Sequence, residues 1–114
     1  MRQIVFIAGP LRSPDVKMVA AHVLTAKHAA TDLAALGVAP YCPHAAIGFS
    51  LGKMHEADAE AINNTFLHLA HAVYALPGCE RSLGARRELV IAAQRGIPIF
   101  HSLQEVRAWR ASLR

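Results

Sequence analysis

Ile4-Val5-Phe6-Ile7-Ala8-Gly9-Pro10 places five apolar residues in a row and ends them in a turn. A run without polar alternation is the pattern of a strand covered on both faces, as in a parallel sheet flanked by helices. Working outward, Asp15 is a good N-cap for a helix over about Val16 to Leu36, which Gly37 ends. Val38 to Cys42 reads as a second strand stopped by Pro43-His44, and Ala45 to Lys53 as a loop. A helix from about Glu56 to Ala70 leads to a third strand, Val73 to Leu76, broken by Pro77-Gly78. Ser82 caps a helix over about Leu83 to Arg95, closed by Gly96. Ile97 to Phe100 is a fourth strand, and Leu103 to Leu113 a last helix.

Strand and helix alternate throughout, which predicts an α/β protein with a three-layer, doubly wound parallel sheet of about four or five strands, flavodoxin-like or Rossmann-like. The 114 residues predict a single domain, and 54% hydrophobic content gives it ample material for a core. Much of that content is alanine, which suits helices packed closely on a flat sheet. No stretch approaches the ~20 apolar residues that span a bilayer. The opening run is also too short for a secretion signal, so a cytoplasmic protein is expected. Two cysteines, Cys42 and Cys79, form no CxxC pair and predict neither a disulfide framework nor a zinc site. The net charge of +4 suits an anionic partner, or else serves only to keep the protein soluble.

In doubly wound sheets ligands bind beyond the carboxyl ends of the strands. That selects the loops Gly9 to Asp15, Pro43 to Lys53 and Pro77 to Ser82. In the first, Gly9 lets backbone approach a ligand, and Arg12 offers a bidentate phosphate contact. It is neither GxGxxG nor a P-loop, so no dinucleotide or ATP cofactor is expected. In the middle loop, Tyr41 and Phe49 are candidates to stack on a base, and His44 to hydrogen-bond a sugar or base. Glu56, Asp58 and Glu60 open the second helix, where acidic residues also serve the helix dipole. His68 and His71 stand at i, i+3 without a carboxylate to complete a metal pattern, so no metal is expected.

The third loop carries most. Ser82-Leu83-Gly84-Ala85-Arg86-Arg87-Glu88 combines a capping hydroxyl, free helix N–H groups and arginines, the makings of a phosphate seat. Glu88 lies one turn beyond Gly84, on a ridge shared with Ala92 and beside Ala85 and Ile91. Glu88 thus projects from small or apolar neighbours, with Gly84 leaving room before it. Burial there would raise its pKa, while Arg86 or Arg87 would lower it. A carboxylate beside an anion seat is what nucleophilic or acid–base glycosyl chemistry requires.

Three motifs, in order, resemble the nucleoside 2-deoxyribosyltransferase superfamily, which includes nucleotide N-glycosidases. They are Ile7-Ala8-Gly9-Pro10-Leu11-Arg12, Pro40-Tyr41-Cys42-Pro43-His44, and Ala72 through Gly78 with Ser82 through Glu88; the likeness runs over roughly residues 4 to 100. The resemblance implies a flavodoxin-like sheet and cleavage or transfer at the N-glycosidic bond of a nucleoside or nucleoside 5′-monophosphate. It assigns Glu88 as the nucleophile on C1′, with Ser82 and Gly84 lining the sugar or phosphate side and the Gly9 to Arg12 loop, with Pro10, covering the site. It also implies a homo-oligomer, a dimer or larger. Base-handling groups fall in the helix before the third strand, with Asp58, Asn63 and Asn64 as candidates. His71 stands where the family often has an aspartate. That departure keeps open a non-catalytic nucleotide-sensing module as the alternative. Nucleic acid is not an expected partner, since no aromatic interleaving accompanies Arg107, Arg110 and Arg114.

Overall fold

In a computed structural model describing residues 1–11, 13–47 and 53–113, four strands form one parallel sheet. The strands are β1 (Ile4–Ala8), β2 (Ala39–Tyr41), β3 (Ala72–Ala75) and β4 (Ile99–Phe100), in the order β2-β1-β3-β4. The helices are α1 (Val16–Ala35), α2 (Pro43–Ile47), α3 (Glu56–Leu69), α4 (Leu83–Gln94) and α5 (Leu103–Ser112).

Strand alternation turns the opening run into a core. Val5 and Ile7 meet Ala26, Ala29 and Leu33 of α1 and Val106 of α5 on one face. Phe6 and Ala8 meet Leu67 of α3 and Ala92 of α4 on the other. The sheet is therefore sandwiched between two helix layers, the expected three-layer, doubly wound architecture. Each fully buried Leu, Ile, Val or Phe contributes about 1.5–3 kcal/mol, so the central strand is the heaviest single contributor to the core. Among the described residues, no helix is long and apolar enough to cross a membrane. Cys42 and Cys79 are both free.

The helix ends follow the sequence. Asp15 accepts from the Lys17 N–H, Ser82 Oγ from Ala85, and Ser102 Oγ from Glu105. Gly37 (φ +89°) and Gly96 (φ +71°) take the left-handed conformation that lets the chain leave α1 and α4.

Two expectations change. Pro43 does not open a loop but begins the short helix α2, a position where its missing N–H costs nothing. The third and fourth strands shift slightly, β3 beginning at Ala72 and β4 only at Ile99. His71 is exposed just outside β3, and its Nδ1 accepts the Ile4 N–H at 2.9 Å. It sits at the amino end of the strand.

The chain leaves β1 towards β2 on one side and β3 towards β4 on the other. The carboxyl ends of β1 and β3 therefore diverge at the topological switch point, where an open α/β sheet forms its crevice.

Candidate functional site

A cavity of about 810 Å³ opens at that crevice. The size falls within the usual ~300–1,000 Å³ of small-molecule sites. Gly9, Pro10 and Leu11 after β1 and Leu76, Pro77 and Gly78 after β3 form its floor, while α1, α3 and α4 supply walls. Gly9 is glycine for packing reasons. A Cβ there would lie 2.7 Å from Leu76 Cδ1 and 3.0 Å from Leu76 Cβ, so buried Leu76 would have to shift to admit it. Gly78 needs its positive φ of +87° to turn the chain into a short 3₁₀ turn, Cys79–Arg81.

Glu88 lines this cavity, partly buried above Ala85 and Ala92 on α4. Burial pushes its carboxyl up to about 8, with no opposing charge or hydrogen bond among the described residues. The competition between desolvation and arginine is thus decided for desolvation. Arg81 and Arg87 line the cavity but remain exposed, where solvent screens them, and Arg86 does not line it.

The start of α4 is an anion-friendly wall. Ser82 Oγ takes the Ala85 N–H at 3.3 Å and Ser82 O the Arg86 N–H at 2.9 Å. Leu83 and Gly84, both lining the cavity, are left with N–H groups lacking an intrahelical acceptor. Among the described residues, a Cβ on Gly84 would meet nothing within 4 Å, which leaves space before Glu88.

The opposite wall is acidic and amide-rich. Glu56, Glu60, Asn63 and Asn64 of α3 line it at helical spacing, and Asn63 Oδ1 is buried without a partner. Asp58 does not line the cavity and is exposed. Two residues along a helix are about 200° apart around its axis, which turns Asp58 away from the face that Glu56 and Glu60 share.

His44 is 3% exposed in the cavity wall. Its Nε2–H donates to the carbonyls of Gly9 (3.2 Å) and Pro10 (3.0 Å), so its donor is spent on backbone rather than a ligand. Burial pushes its pKa below the ordinary value despite these two acceptors. Tyr41 does not line the cavity but stacks between Phe6 and Phe66, with centroids 5.7 and 4.3 Å away. Arg12 and Phe49 lie outside the described residues.

Sequence reasoning missed a third wall. Met18, His22 and Thr25 of α1 line the cavity, and their i, i+4, i+7 spacing was the available signal. His22 Nδ1 lies 3.1 Å from the Leu11 carbonyl.

Fold and site together define a doubly wound α/β protein with a ligand-sized cavity at the switch point and one buried carboxyl facing it. The chain belongs to the DUF4406 family, a domain of unknown function whose family model matches residues 3–101. No curated protein matches the chain.

Proposed function

We propose that the protein cleaves or transfers the N-glycosidic bond of a nucleoside or nucleoside 5′-monophosphate through Glu88. The observation that carries this reading is a carboxyl raised to about 8 in a cavity beside the Leu83 and Gly84 N–H groups, which have no acceptor within their helix. The 5′-phosphate goes to the α4 end with Arg81 and Arg87, and the base to the amide and acidic wall of α3. The sugar lies between them, in the open space before Gly84. The motif resemblance from Gly9 to Glu88 supports the same assignment.

Chemically, a Glu88 carboxylate oxygen bonds to C1′ as the C1′–N bond breaks, and the bonding pair leaves with the base, which takes a proton from water. Water then attacks C1′ of the ester, giving up a proton and freeing the sugar, or a second base attacks it and takes the sugar as a new nucleoside; either way the C1′–O bond breaks and the Glu88 carboxylate is restored. Only the ionised carboxyl can attack. With a pKa of about 8, roughly a tenth of the protein carries it at pH 7.

Incubation with nucleosides and their 5′-monophosphates should release free base. Glu88→Ala should keep the fold and lose the release; equal release by the variant rules the reading out. Thermal stabilisation by nucleotides without turnover would instead favour the sensing module. His71 lends that alternative no support, because it lies at the amino end of β3, away from the cavity.

A further inference from the structure

We infer that His44, assisted by His22, is a positioning residue that holds the Gly9–Leu11 loop in the shape the cavity needs; the inference rests on the glycosidic reading for its kinetic consequence only. Three successive carbonyls after β1 are gathered by two imidazoles from different helices. His44 on α2 takes those of Gly9 and Pro10, and His22 on α1 takes that of Leu11.

A carbonyl oxygen accepts and cannot donate, so each contacting nitrogen carries the proton. His44 is thereby fixed with hydrogen on Nε2, and its Nδ1 is a bare acceptor, buried and unpartnered. Protonating that ring would put a second N–H on the unpartnered side. The neutral form is the one the surroundings accept, in line with the lowering of its pKa by burial.

The consequence for the cavity is electrostatic. Unheld carbonyls on this loop would be free to turn their negative ends towards a cavity that must receive an anionic group and let Glu88 ionise. The histidines hold them against the protein. The trans peptide plane then sends the Leu11 N–H to the side opposite the Pro10 carbonyl. Cross-linking the loop from two helices fixes it more firmly than its own turn would, and catalysis is sensitive to displacements of that scale.

The test combines spectroscopy with kinetics on the full chain. Long-range ¹H–¹⁵N spectra of the imidazoles should show hydrogen on Nε2 of His44 and on Nδ1 of His22; hydrogen on His44 Nδ1 overturns the inference. His44→Leu removes the donor, whereas His44→Gln places an amide N–H near the Nε2 position. His44→Leu should lower the ¹⁵N order parameter of the Leu11 amide and raise KM for a 5′-monophosphate at least about tenfold while kcat moves far less, and His44→Gln should restore the order parameter and bring KM back to within about threefold. Equal behaviour of the two variants contradicts the inference. If His44→Leu fails to fold, His22→Leu and His22→Asn make the same comparison, since the asparagine amide mimics Nδ1. If the wild-type protein releases no base, the glycosidic reading fails alone, and the tautomers with the Leu11 order parameter still decide this one.

Discussion

The two ends of the sheet treat polar groups in opposite ways. At the amino end they are consumed. Arg2 donates to the carbonyls of Ala34 and Val38, closing α1 against the sheet. His71 accepts the Ile4 N–H, and the Ala39 N–H reaches Gln3 O. At the carboxyl end His44 and His22 hold the carbonyls of Gly9, Pro10 and Leu11, but other groups are left waiting. Among the described residues, Glu88 is held without a countercharge, Asn63 Oδ1 and His44 Nδ1 are buried without partners, and the Leu83 and Gly84 N–H groups have no acceptor. Each such group costs about 1–3 kcal/mol if nothing satisfies it, so a fold concentrates them where a ligand will. The same chain therefore builds a frame at one end and a site at the other.

Substitutions at the two ends should separate stability from activity. The largest effect is expected at Glu88: Glu88→Gln should lower base release by at least ~10³-fold, the scale of losing a nucleophile. The same change should stabilise the fold at high pH. A carboxyl with a native pKa of about 8 and an ordinary unfolded value near 4.5 binds more protons folded than unfolded between those limits. Stability therefore falls as pH rises through that window, and the cost is greatest above pH 8. Glu88→Gln removes it, so thermal melts at pH 9 should show a gain on the order of 2–3 kcal/mol that vanishes near pH 4. No gain at pH 9 would mean that the carboxyl is not desolvated.

Two glycines sharpen the contrast. Gly9→Ala should cost about 1–3 kcal/mol in denaturant titrations, because its methyl overpacks against buried Leu76. Gly84→Ala meets nothing and lies in a helix, so it should be neutral or gain up to ~1 kcal/mol while raising KM. Paired kinetics and melts on both variants check this; a destabilised Gly84→Ala would show that the space before Glu88 is not open.

Smaller effects should follow the face of α3 and the amino end. Glu60→Ala should raise KM several-fold and Asp58→Ala leave it unchanged, although the two are near neighbours in sequence. His71→Leu should cost ~1 kcal/mol by orphaning the Ile4 N–H, with no change in kcat/KM. A catalytic defect there would return His71 to the site and undo the division between the two ends.

The fold was legible because the signals were local. The Ile4–Ala8 run, the capping residues Asp15 and Ser82 and the glycines after α1 and α4 each specify their element without help from distant residues. The open space at Gly84 and the placing of Glu88 against Ala85 and Ala92 also followed from helical spacing alone. What escaped was whatever depends on how elements meet. Asp58 and Glu60 look alike in sequence, and only the packing of α3 on the sheet tells which faces the crevice. Tyr41 was read as a base platform, but the edge position of β2 stacks it between Phe6 and Phe66. The grip of His44 on the loop after β1 joins residues 34 and 35 positions apart, beyond any local pattern. The direction of the Glu88 shift needed the depth of its burial, which composition does not encode.

The most direct measurement is the pH dependence of kcat/KM for base release from a nucleoside 5′-monophosphate, with rapid quenching and mass spectrometry of the peptide containing Glu88. The account predicts a rate that climbs about tenfold per pH unit, levels off near pH 8, and leaves a sugar adduct on Glu88 that is absent in Glu88→Gln. A rate that instead falls as pH approaches 8, with no adduct on Glu88 at any pH, would contradict it.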